Sequence, residues 1–232
     1  MNNVRRYTPQ DSLVDLINDN YSILPVLSRF SIPLGFENRR IADVCTDAGI
    51  DSEVFLFIVN FILSGKIDNS RMSTISPEAI VDFLHNSHDY YLSYKIPHIR
   101  QNLLNALDES HSDINPAIIR FFDDYIEQVK EHFRYEEKKV FPYVRNLMSG
   151  KPSRYNIGMF KKHHDDIDEK LSDLKNIILR YYTTSMPNKM YDVLVDIYNC
   201  EEDLKQHTDI ENHILIPMIS LVEQRNRPNS RI

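Results

Sequence analysis

Apolar residues recur every third or fourth position through most of the chain, the spacing of helices that bury one face. Over "DSLVDLINDNYSILPVLSRF" this spacing predicts a helix with Asp11 or Ser12 as its N-cap. Two shorter helices are expected around Asn38–Ala48 and Asp51–Leu63, parted by a turn at Gly49. The polar stretch "SGKIDNSRMSTIS", Ser64 to Ser76, reads as a linker.

Four longer helical segments follow. Ser76-Pro77, Asn115-Pro116 and Ser153 begin the first three, and the fourth runs from near Pro187 to about Glu223. The expectation is all-α: a small helical N-terminal domain over 1–69 and a four-helix bundle over 70–232. Pro97, Pro142 and Pro217 fall inside the long segments, where a proline removes a backbone hydrogen bond and kinks its helix.

Those prolines accompany a repeated motif. "EHFRYEEKKVFPYV" holds His132, Glu136 and Pro142; "QHTDIENHILIPMI" holds His207, Glu211 and Pro217 at the same offsets, 75 residues on. Residues i and i+4 share a helix face, so each His-Glu pair can grasp one object. The other two bundle segments supply single histidines, His88 and His164, 44 and 43 residues ahead of the paired ones. Two hairpins packed with approximate two-fold symmetry would gather four imidazoles and two carboxylates. Bundle cores are a recognised setting for dinuclear metal sites. Two carboxylates can bridge two cations while imidazoles complete the ends, a donor set that suits iron, zinc or manganese.

Composition narrows the field. The 232 residues carry a formal charge of −7 without a basic cluster, which argues against a nucleic-acid partner. Cys45 and Cys200 form no disulfide framework and no Cys-x-x-Cys pair, pointing to a reducing compartment. The N-terminus lacks the apolar core of a signal peptide. "VFLFIVNFIL", Val54 to Leu63, is about half the length of a membrane span. A cytoplasmic protein without a membrane segment is expected.

The repeated His-x-x-x-Glu with two single histidines resembles the hemerythrin-like HHE domain. "HFRYEEKKVFPYV", "HHDDIDEKL", "HTDIENHILIPMI" and the N-terminal unit narrow the likeness to the di-iron proteins called repair of iron centres. That resemblance covers nearly the whole chain. It implies two non-haem iron ions, oxo- or hydroxo-bridged and replaceable by zinc or manganese, and a role in repairing iron–sulfur clusters damaged by nitric oxide or oxidants. Iron–sulfur proteins become the expected clients, and NO or O2 the small ligand. Carried over by position, His132, His164 and His207 are terminal ligands, and Glu136 and Glu211 are bridges.

The chain departs from that family in one respect. Where relatives carry an adjacent Cys-Cys pair, "RFSIPLGFENRRIADVC" has Leu34-Gly35, so the pair's thiol chemistry does not transfer. The first-helix ligand is also divided. Relatives place histidine eight residues before the proline, which from Pro97 lands on Asp89, one residue past His88. Val81 and Leu84 lead forward to His88, whereas Ile99, Ile96 and Leu92 lead back to Asp89. A one-residue π-bulge before Pro97 would reconcile the two seams, and His88 is favoured because imidazole matches the other hairpin. His85, His98, His111, His163 and His213 read as surface or outer residues. Tyr90, Tyr91, Tyr135 and Tyr143 read as core. Two further functions compete with cluster repair: reversible storage or sensing of O2 or NO, and a metal-free helical interaction protein.

Overall fold

The computed structural model describes residues 5–163, 168–185 and 187–226, and no side chain within 163–170. Among these residues every regular element is a helix, with a single isolated bridge between Ser12 and Arg40.

The first predicted helix is divided. α1 (Leu13–Asp19) starts at Ser12, whose hydroxyl accepts from the Asp15 N–H, and stops where Asn20 turns out of helical geometry. One 3-10 turn, Tyr21–Ile23, leads into α2 (Leu24–Arg29), which has Pro25 in its first turn. Asp11 instead accepts from both the backbone N–H and the hydroxyl of Thr8. α3 (Ile41–Asp47) is shorter than its apolar pattern, and Gly49 makes the expected turn at φ +70°, a conformation that favours glycine. α4 (Ser52–Ser64) opens on an Asp51 cap. The stretch from Ser64 to Ser76 is not wholly a linker, because it holds one short helix, α5 (Asn69–Met72), and buries Met72 and Ile75.

Helices α6 (Pro77–Tyr90) and α7 (Ile96–Ala106) form the first bundle rod, and α8 (Asn115–Tyr135) and α9 (Phe141–Met148) the second. The third contains α10 (Ile157–His163) and α11 (Asp168–Tyr181); the fourth is α12 (Pro187–Ile210) and α13 (Ile216–Asn226). α6 packs on α9 and α7 on α8, so the first two rods are antiparallel. α8 with α11, α10 with α13, α11 with α12, and α7 with α12 close the ring. The bundle therefore runs up-down-up-down.

Two rod starts differ from expectation for a tertiary reason. The third rod becomes helical at Ile157 rather than Ser153, because the Ile157 N–H donates to Glu223 Oε1 on α13 at 2.7 Å. Asn115 is the first helical residue rather than a cap; its side chain donates to Asp108 O and accepts from the Tyr182 hydroxyl.

The three interior prolines share one solution. Each follows a π turn: Tyr91–Lys95 before Pro97, Glu136–Val140 before Pro142, and Glu211–Leu215 before Pro217. In each the residue ahead of the proline donates to the carbonyl five residues back: Ile96 to Tyr91, Phe141 to Glu136, Ile216 to Glu211. In a regular helix the proline ring would meet the carbonyl four residues before it. Widening the turn moves that carbonyl aside and adds one residue to the rod.

The core falls into two clusters. One joins the N-terminal helices to one end of the bundle, so that Phe55, Ile58 and Val59 of α4 share it with Phe83, Val140, Phe141 and Ile214. Phe30 bridges the two parts, with ring centres 5.4 Å from Phe55 and 5.0 Å from Phe83. The second cluster fills the other half of the bundle with Ile99, Phe122, Val129, Leu174 and Ile197 among others. Each fully buried side chain of this kind contributes roughly 1.5–3 kcal/mol.

Candidate metal centre

Between the two apolar clusters lies a layer of buried polar side chains. His88, Glu136, His207 and Glu211 are 3%, 0%, 1% and 0% exposed. Each offers one donor atom, and these four atoms all lie within 4.8 Å of one another. The π turns set this arrangement. His132 and His207 occupy the last turns of α8 and α12, and Glu136 and Glu211 are the first residues of the widened turns. The i, i+4 pairing therefore survives: His132 Nε2 is 2.8 Å from Glu136 Oε1, and His207 Nε2 is 3.2 Å from Glu211 Oε1. Across the bundle, His88 Nε2 approaches Glu136 Oε2 at 2.9 Å.

Among the described residues, His88 Nε2, both ring nitrogens of His207 and both oxygens of Glu136 are buried without a hydrogen-bond partner. Converging polar atoms left in that state are costly unless something else binds them. Burial, and next the charge of Glu211, push the Glu136 carboxyl well above its ordinary range. A cation bound among these groups would remove both penalties. Two imidazoles and two carboxylates, with no thiolate, fit a borderline or hard divalent metal.

The structure places the two first-helix candidates differently. The π turn at Tyr91–Lys95 supplies the extra residue, His88 faces the layer, and Asp89 is exposed. His88→Ala should therefore lose metal, while Asp89→Ala should load like the unaltered chain. Metal analysis after reconstitution reads this directly, and the reverse result would move the ligand to Asp89. His132, mostly buried, adjoins the centre through Glu136. His164 lies outside the described residues, as does the side chain of His163.

Sequence reasoning passed over Glu137. Its Oε1 accepts from His88 Nδ1 at 2.7 Å and from His85 Nδ1 at 2.8 Å. Burial alone would raise this carboxyl, but the hydrogen bonds from His88 and His85 hold it below its usual value. The bond to Nδ1 fixes the His88 tautomer and leaves Nε2 facing Glu136. Removing such a partner typically costs about 10–100-fold in metal affinity. Glu137→Ala should show a loss of that size in a chelator competition. An unchanged affinity would leave Glu137 without an orienting role.

Other groups expected at the surface or in the core mostly stay there. His98 and His213 are exposed beside Asp196 and Asp209, and His111 contacts Thr183. Tyr91 and Tyr143 are buried, while Tyr90 and Tyr135 are partly so. Cys45 and Cys200 are free and buried, and burial pushes both thiols up to about 12, far from a reactive thiolate. Among the described residues no helix is long and apolar enough to cross a membrane.

Residues 79–219 match the family model described as the hemerythrin HHE cation binding domain, which spans more than half of the 232 residues. A search of curated proteins found no match to the chain.

Proposed function

The chain belongs to the hemerythrin HHE cation-binding family, and on that premise we propose that it is a non-haem di-iron protein of the nitrosative and oxidative stress response. It repairs damaged iron–sulfur clusters by delivering iron, and two ferrous ions held at the same centre, each oxidised to ferric, would supply the two electrons that with two protons convert two NO to N2O and water. The observation carrying this reading is the pair of buried carboxylates, Glu136 and Glu211, at matching places in two π turns with a histidine one turn before each. His88, His132, His164 and His207 are the proposed end ligands, and the two glutamates the proposed bridges. When bound, the metals supply redox chemistry and open positions for a diatomic ligand. The carboxylates would hold the cations close together, and Glu137, bonded to Nδ1, leaves His88 Nε2 facing the site.

Delivery is supported by the shallow side of the centre. His88 is backed by Glu137 and His85, which are 34% and 45% exposed, so an acceptor can come within one side chain of a ligand. The proposed boundary at 69 gives the N-terminal unit no ligand, and the two buried thiols take no part.

One observation favours a second reading, reversible storage of O2 or NO. The walls of the centre are aromatic: Phe133 and Phe141 stack on His88 at 4.0 and 5.3 Å between ring centres. Anaerobic titration of the iron-loaded chain with NO separates these readings. Iron lost to solution supports delivery, N2O supports reduction, and reversible uptake with neither would replace both by storage.

A further inference from the structure

Arg29 ends α2, in the N-terminal unit, yet its side chain is 1% exposed and reaches into the bundle. The guanidinium lies 5.0 Å from the ring centre of Tyr90 and 4.9 Å from that of Tyr91. Nη2 donates to the Tyr91 hydroxyl at 3.0 Å and pairs with a carboxylate oxygen of Asp203. Asn86 donates to the Arg29 carbonyl at 2.8 Å, fixing the end of α2 on α6 two residues before His88.

Both partners of Arg29 adjoin the metal layer. Asp203 precedes His207 by one helical turn. The Tyr91 ring stands edge-on to His207, with centres 5.9 Å apart, and 5.8 Å from that of Phe133. Tyr91 also begins its π turn, six residues before Pro97, the offset that Glu136 and Glu211 hold from their own prolines. The first rod thus carries a neutral ring where two others carry carboxylates, and its hydroxyl is turned to Arg29. Docking alone does not call for a buried guanidinium. Desolvating one is expensive, and an apolar residue of similar volume often stabilises as well. Arg29 Nε has no hydrogen-bond partner among the described residues, so part of that cost stays unmet.

We infer that Arg29 is a positioning residue of the metal centre, supplied from outside the bundle: it holds the Tyr91 ring against His207 and fixes the turn from Asp203 to His207. The N-terminal unit, which contributes no ligand, thereby sets the shape of one side of the centre. This rests on the metal-binding reading above.

The test uses the full chain loaded with Co(II), whose visible bands report ligand geometry, and the rate at which EDTA strips the cobalt. Arg29→Met and Tyr91→Phe should each shift the bands and speed release by roughly 10-fold, the scale of an outer-partner loss. The double variant should release no faster than Arg29→Met alone, because the Tyr91 hydroxyl acts through Arg29. Arg29→Lys should fall between Arg29→Met and the unaltered chain. Unchanged bands and release in Tyr91→Phe, or additive effects in the double variant, would overturn the inference. Should Arg29→Met not fold, Tyr91→Phe and Arg29→Lys decide it by the same readouts. If the unaltered chain takes up no cobalt, the metal-centre reading falls and this one with it. If it does and the variants match it, only the coupling falls.

Discussion

Glu136→Gln should abolish paired metal uptake and, in the metal-free chain, raise the melting temperature. The amide keeps the size of the side chain but cannot bridge two cations. Without metal, Glu136 is a fully buried carboxyl facing a second buried carboxyl, Glu211, and its pKa is raised by burial first and by that neighbour next. A carboxyl whose folded pKa exceeds its unfolded value gives the folded state an extra proton between the two. The stability present below the unfolded value, about 4.3 for glutamate, is lost as pH rises through the raised folded value. The metal-free chain should therefore melt progressively lower as pH climbs above the acidic range, and Glu136→Gln should flatten that slope. Each kcal/mol gained at neutral pH would raise the midpoint by roughly 2–4 °C for a chain of this size. Melting curves in EDTA across pH, beside metal analysis of the same samples, check both halves. An equal slope in the variant, or full dinuclear loading, would remove Glu136 from its bridging role. Glu211→Gln should likewise lose paired metal uptake, since Glu211 holds the corresponding place in its own π turn.

Deleting residues 1–69 should cost the fold as well as the N-terminal unit. On sequence alone, a soluble bundle that still binds metal is the natural expectation, because every proposed ligand lies later. The packing argues otherwise. α4 is apolar on all sides, burying Val54 to Val59 and Phe61, and it shares one core with Phe83, Phe141 and Ile214 of the bundle. The Phe61 ring lies 6.1 Å from that of His213, in the same π turn as Glu211. Deletion would also leave Asp203 without the Arg29 guanidinium. Phe55→Ala, which removes one such ring, should by itself cost about 3–5 kcal/mol. A truncated chain that is aggregated, or that lacks a cooperative melting transition, is the expected result. A monomeric bundle with native melting would show that the bundle closes over that face unaided.

Much of this was legible in the sequence, for identifiable reasons. Helices announce themselves by local spacing, and the two His-x-x-x-Glu motifs carry their prolines at fixed offsets. Even the π turn before Pro97 was readable, because the apolar seam through Val81 and Leu84 is out of phase with that through Leu92 and Ile96. What was hidden depends on distant partners. The third rod starts late because its first N–H is capped from 66 residues away, and Arg29 finds Asp203 across 174 residues. Glu137 was masked differently: a regular helix turns neighbouring side chains about 100° apart, so nothing in "EE" says that both serve one centre.

The polar layer between the two cores has a bearing on how the molecule opens. Each half of the bundle carries its own apolar cluster, whereas the junction between them holds buried polar groups left without hydrogen-bond partners, His88 Nε2 and both Glu136 oxygens among them. In the metal-free chain that junction is a seam along which the halves can exchange their amide hydrogens as separate cooperative units. Metal bound from both sides of the bundle would work there as a rivet. It would make the protection of one half contingent on the other, so removing the cation would also relax the whole rod assembly.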